Sequence, residues 1–187
     1  MQNPEELLQQ FLKEAPNLID SCTKQFGELT ETQINWKPSE RKWSIGECLA
    51  HLVVTHKLYN TKISKLQTKF KQSVGGSSMF KHTFFGRMIL KYVDPDSKKR
   101  SKTFKIFKPE ARKIDTNIIN SFCEEVETMI SFAEKLNGAD LTKLKFSSPA
   151  TNLLKMNLGD ALLINLYHDK RHLNQAKKVL NESDFPK

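Results

Sequence analysis

The sequence predicts an all-α protein, a four-helix bundle, and three observations carry that expectation. Apolar residues recur at three- and four-residue steps in four separate blocks, the period of an amphipathic helix. Only seven glycines occur in 187 residues, and strand-like alternations of Val, Ile and Thr are few. Helix-start and helix-stop patterns flank the blocks. The length suits one domain over 1–187, with enough chain for a sizeable core.

The first block, residues 4–27, carries Leu7, Leu8, Phe11, Leu12, Leu18, Ile19, Cys22 and Phe26 on one stripe. Pro16 is expected to kink it or split it, because proline lacks the backbone donor and crowds the preceding turn. The second block opens on Trp43-Ser44-Ile45-Gly46-Glu47. Ser44 with Glu47 three residues on is a capping box. Its stripe runs Ile45, Leu49, Leu52, Val53 and Leu58 to about Phe70, and GGSS at 75–78 closes it. The third block is expected to begin near Pro109, a good first-turn residue. Ile114, Ile118, Phe122, Val126, Met129, Ile130 and Ala133 keep helical spacing up to the stop pattern Asn137-Gly138. The fourth follows Asn157 as cap, with Leu158, Leu162, Leu166, Leu173 and Leu180. Roughly 15 to 20 residues link blocks one and two, and three and four. About 35 link blocks two and three, longer than usual for a bundle. A connection of that length allows two consecutive helices to run parallel.

The formal charge of +9 is local. Between Lys62 and Lys113 stand 15 Lys and Arg against Asp94, Asp96 and Glu110, a net of +12, and the rest of the chain sums to −3. The basic connection spans about 72–107. Its stretch KYVDPDSKKRSKTFKIFK interleaves aromatics with cations, as single-strand binders do. No recognition motif accompanies it, so nucleic acid is not the expected partner. An anionic cofactor or substrate suits the same charges, as does a solvated loop. The N-terminal MQNPEELLQQFLKEAPN has no apolar run of the signal-peptide kind, and no stretch is long and apolar enough to span a bilayer. A cytoplasmic protein with no membrane segment is the expectation. Cys22, Cys48 and Cys123 show no paired spacing and are expected reduced and buried.

His168 and His172 stand four apart in YHDKRHLNQ. On a helix they lie about 40° apart and about 6 Å along the axis, so both imidazoles can reach one ion. His51, early in the second block and beside its stripe, is the candidate third ligand. His56 points roughly 140° away from His51 and is expected to meet solvent. His82 lies in the connection. A zinc-protease motif is excluded, since Asp169 stands where that motif needs Glu. Two readings stay open: a metal site, or histidines that share a helix face. Asn165, three before His168, and Gln175, three after His172, are candidates to orient the imidazoles, against ordinary helix-surface polarity. Glu47 is one turn before His51, where capping competes. Trp36 and Trp43 flank the start of the second helix. As pocket walls they would cover the mouth of the site; as core or wedge residues they need no function, and Trp43, just before the cap, reads as structural.

INWKPSERKWSIGECLAHL (34–52), FKP (107–109) and YHDKRHLNQ (167–175), in this order, resemble the DinB/YfiT-like superfamily of bacterial helical bundles, in its DinB-like branch. The matching spacing covers roughly 5–180. The resemblance implies an up-down-down-up bundle. It also implies a divalent metal, zinc or nickel, on three histidines, which carry over as His51, His168 and His172. Relatives include thiol-dependent transferases and isomerases using bacillithiol or mycothiol, and dimers are common. The expected function is therefore a metal-dependent enzyme. A thiol or water would be activated for small-molecule transfer or hydrolysis, with a low-molecular-weight thiol as a further cofactor. The rival is a metal-free bundle, a binding or stress-associated protein whose basic segment takes an anionic partner. A plain homodimer packed through exposed stripes is the third reading.

Overall fold

Why each helix begins where it does is largely a matter of capping. A computed structural model describes residues 3–71, 79–97, 103–109 and 113–187. Helix α1 (Pro4–Phe26) starts at Asn3, whose side chain accepts from Glu5 N–H at 2.9 Å while its own N–H donates to Glu6. Pro16 does not split it. Ala15 and Leu18 are buried on either side of the proline, and packing of that continuous stripe outweighs one missing backbone bond. A five-residue helix follows, α2 (Glu31–Asn35), with Thr30 and Gln33 as a capping box. Helix α3 (Ile45–Ser64) starts at Ser44, whose hydroxyl accepts from Glu47 N–H. It stops short of Phe70, and a single 3-10 turn at Gln67–Lys69 brings that ring into the core. The GGSS stretch expected to close the block lies outside the described residues.

The stretch read as a connection contains a further helix, α4 (Phe84–Val93). Among the cations of this stretch stand the apolar positions Phe85, Ile89, Leu90 and Val93, and Thr83 caps the helix through Gly86 N–H at 2.9 Å. Helix α4 packs on α6 (Leu158–Leu180). The anchor is Asp160, buried in the first turn of α6. Its carboxylate accepts from Thr83 N–H at 2.9 Å and the Thr83 hydroxyl at 2.7 Å, and pairs with His82 Nδ1 at 2.7 Å. Contact here is so close that a Cβ on Gly86 would stand 2.1 Å from the Asp160 carboxylate. Gly86→Ala is therefore expected to push α4 off its anchor and lower the melting temperature by roughly 3–10 °C, read by thermal denaturation.

Helix α5 (Ile118–Glu134) begins nine residues after Pro109, later than expected. Ile114 belongs instead to the segment before it. There the Asn35 side chain clamps the Ile114 backbone, accepting from its N–H at 2.8 Å and donating to its carbonyl at 2.7 Å. Past α5 the chain turns at Gly138, whose φ of 73° suits glycine. It then forms a small antiparallel pair, β1 (Lys145–Ser147) with β2 (Lys155–Asn157), Phe146 opposite Met156. No strand was expected in this link. Asn157 caps α6 by accepting from Asp160 N–H at 2.9 Å.

The described residues thus form six helices and one two-stranded sheet, a mostly helical fold. Helix α1 packs against α5 and α6, and α3 against the same two. Phe11, Phe26, Leu49, Phe122 and Met129 fill the space between them with almost no exposure. Each such side chain contributes about 1.5–3 kcal/mol by burial. Among the described residues no helix is long and apolar enough to cross a membrane.

Candidate metal centre

Three imidazoles from two helices meet at the α3–α6 interface. His51 is on α3, and His168 and His172 are one turn apart on α6. Ring centroids are 4.9 Å apart for His51–His168, 4.7 Å for His51–His172 and 4.6 Å for the α6 pair. One ring nitrogen from each lies within 4.8 Å of the others.

The hydrogen bonds assign a tautomer. His51 Nδ1 is 2.7 Å from the Phe107 carbonyl, which can only accept, so Nδ1 carries the proton. The lone pair of His51 Nε2 then points at His168 Nε2, 3.1 Å away. Nitrogens that share an ion at about 2.0–2.1 Å stand about 3.0–3.4 Å apart, so this spacing suits a common ion. His172 Nδ1 is buried and has no hydrogen-bond partner among the described residues. Such an atom is costly to leave bare, and a cation would satisfy it.

Electrostatics favour neutral rings. Burial lowers the pKa of His51, opposed by its bond to Phe107. Burial first, then the neighbouring His172 and His51, holds His168 well below the usual range. Burial, aided by His51, pushes His172 down to about 3. Unprotonated imidazoles keep their lone pairs for a metal. The donor set and its protonation therefore fit a divalent ion that accepts nitrogen ligands.

Around the rings the structure distinguishes the two residues expected to orient them. Gln175 is a polar neighbour of His172 that raises its pKa against the effect of burial. Asn165 instead donates to the Ala161 carbonyl at 2.8 Å, and its Oδ1 has no partner among the described residues. Trp43 is more than a core residue beside a cap. Its ring stacks on His172 at 5.7 Å and 22° and meets His51 edge-on at 5.1 Å, forming a wall of the site. Trp36 packs elsewhere, edge-on to Phe185.

His56 does not meet solvent. It is 1% exposed, and its Nε2 lies 2.9 Å from both oxygens of Asp169, itself 2% exposed. His56 points away from His51, as helix pitch requires, but α3 is covered on two flanks, by α5 and by α6. The side facing away from the imidazole cluster meets α5, where Phe122 touches the His56 ring edge-on. Asp169, directly after His168, reaches it from α6. Burial raises the Asp169 pKa against the pull of His56. Residue identity offered a signal here, an acid and a histidine on helical segments already assigned, but not their pairing.

The basic stretch is held to both helices of the site, α6 through Arg171 and α3 through His51. Arg171 Nη1 donates to the carbonyls of Asp94 and Ser97, each at 2.9 Å, and the 3-10 turn Lys105–Phe107 supplies the carbonyl that holds His51. Of the cysteines, Cys22 and Cys48 are buried, whereas Cys123 is only half-buried, contrary to expectation.

A family model described as the DinB superfamily matches residues 19–176. No curated protein and no solved structure matches the chain.

Proposed function

The chain belongs to the DinB superfamily, and from that premise we propose that it is a metal-dependent enzyme acting on a small molecule, with His51, His168 and His172 as ligands. One observation carries the reading: three neutral imidazoles converge, and one buried nitrogen of the cluster has no hydrogen-bond partner among the described residues. The four long helices are read as an up-down-down-up bundle, with the site between the second and fourth. Zinc or nickel suits an all-imidazole set. A divalent ion there supplies a Lewis acid beside which a thiol or water loses its proton more readily.

The chain's own residues have separable roles in this reading. The Phe107 carbonyl fixes the His51 tautomer, and Gln175 orients His172. Trp43 covers two of the rings and keeps water from that side. A low-molecular-weight thiol is the co-substrate class to screen first, followed by hydrolytic substrates. The test is elemental analysis of protein purified without a histidine tag and equilibrated with zinc, nickel or manganese. About one ion per chain is expected; no ion under any condition overturns the reading.

A second reading rests on a different surface. Phe84 and Phe104 are 70% and 65% exposed in the basic segment, where aromatics alternate with cations in the sequence. A binding protein using this segment for an anionic partner would show an affinity that falls steeply between low and moderate salt, measured by fluorescence anisotropy with a labelled oligonucleotide or polyanion. Salt-independent or absent binding removes it.

A further inference from the structure

We propose that Cys22 and Cys123 are a reversible redox pair, a dithiol that closes to a disulfide joining α1 to α5 on exposure to a low-molecular-weight disulfide. Helices α1 and α5 pack directly, with Cys22 on the first and Cys123 on the second, and the residue after Cys22, Thr23, touches Cys123 across their interface. The two sulfurs differ in access. Cys22 has no exposed surface, while Cys123 is half-buried at the edge of the same interface. The Thr23 hydroxyl stands 3.7 Å from Cys123 Sγ and can donate to a thiolate there. Cys48, the third cysteine, is buried on α3 and has no part in the pair.

The asymmetry assigns the roles. Cys123 is the thiol that an external disulfide can reach, and its neighbours Cys22 and Thr23, opposed by burial, lower its pKa and favour the thiolate. Cys123 and then burial push Cys22 upward. Cys123 is therefore the attacking thiol and Cys22 the resolving one. In the first step the Cys123 thiolate attacks one sulfur of the external disulfide, forms a mixed disulfide and expels one thiolate. In the second, Cys22 gives up its proton and attacks the Cys123 sulfur. The protein disulfide forms and a second thiolate leaves, taking up the proton in solution. Two protein thiols are oxidised and one external disulfide is reduced to two thiols, so electrons and protons balance. The high pKa of Cys22 makes the second step the slower one. Excess thiol reverses both steps.

This pair is independent of the imidazole cluster, and so is its test. The full chain is incubated with glutathione disulfide, its remaining thiols are blocked with N-ethylmaleimide, and its peptides are mapped by mass. The expected product is a Cys22–Cys123 cross-linked peptide, lighter by two hydrogens, with Cys48 inaccessible until denaturation. Because the bond closes a loop of about 100 residues, the oxidised chain should melt several degrees higher than the reduced one. Cys123→Ser is expected to take up no glutathione. Cys22→Ala is expected to keep a persistent glutathione adduct on Cys123. A wild-type chain that holds the adduct as long as Cys22→Ala does overturns the proposal, as does a chain whose cysteines do not react. If Cys22→Ala fails to fold, the wild-type peptide map decides alone.

Discussion

Replacing His168 by alanine is expected to abolish stoichiometric metal binding and weaken affinity by roughly 100-fold or more. Loss of even a group that merely orients a ligand costs about 10- to 100-fold, and removing a ligand costs more. His168 is the most informative of the three because its Nε2 faces that of His51 at 3.1 Å. Without that ring, His51 and His172 are left as a pair, and two imidazoles hold zinc or nickel poorly against water. The measurement is calorimetric titration of tag-free protein, paired with elemental analysis after gel filtration. Helix α6 should persist, since His168 is one side chain in a 23-residue helix whose apolar positions are untouched. Retention of one tightly held ion by a folded His168→Ala chain would place the site elsewhere and sink the assignment.

Replacing Asp169 by alanine should produce the largest loss of stability among the polar substitutions near the site. The Asp169 carboxylate accepts from His56 Nε2–H with both oxygens at 2.9 Å, and both residues are buried. His56 Nδ1 already lacks a partner among the described residues. The alanine variant would strand the whole imidazole edge in the core. Breaking one side of such a buried pair costs about 3–5 kcal/mol, and in a chain of this size the melting temperature should drop by roughly 10 °C. Asp169→Asn keeps an oxygen able to accept and should lose much less. Thermal melts of the two variants separate a lost hydrogen bond from a lost charge. An alanine variant that melts within a degree or two of the wild type would mean that the pair contributes little. Asp169 also follows His168 directly, so a shift of this turn of α6 should weaken metal binding in the alanine variant while the asparagine variant binds normally.

Much of the helical framework is legible in the residues alone. Ser44 with Glu47, and Asn157, start α3 and α6 as the capping patterns require, because a cap is a local arrangement of a side chain and nearby amides. The apolar stripes mark the faces that α1, α3, α5 and α6 bury. The His168–His172 spacing likewise places both rings on one face of one helix, a consequence of helix pitch. Local reading is less reliable where tertiary packing decides. Helix α4 is short and set in strongly basic sequence, and it is held by Asp160, 77 residues away from Thr83. Pro16 is carried inside α1 because both flanks are packed.

Local rules along the chain are enough for a mostly helical fold, the residues that start its helices, and a histidine pair able to face one point. What surrounds that point depends on how the helices pack in three dimensions. That packing brought His51 across from α3, and it laid the Phe107 carbonyl against one imidazole and Trp43 against two. It also turned His56 inward onto Asp169 and brought Thr23 of α1 against Cys123 of α5. The physical reason is range. Helix pitch and capping act over a few residues and can be read along the chain, whereas hydrogen bonds between helices depend on which faces pack, and one helix's periodicity does not specify its neighbours.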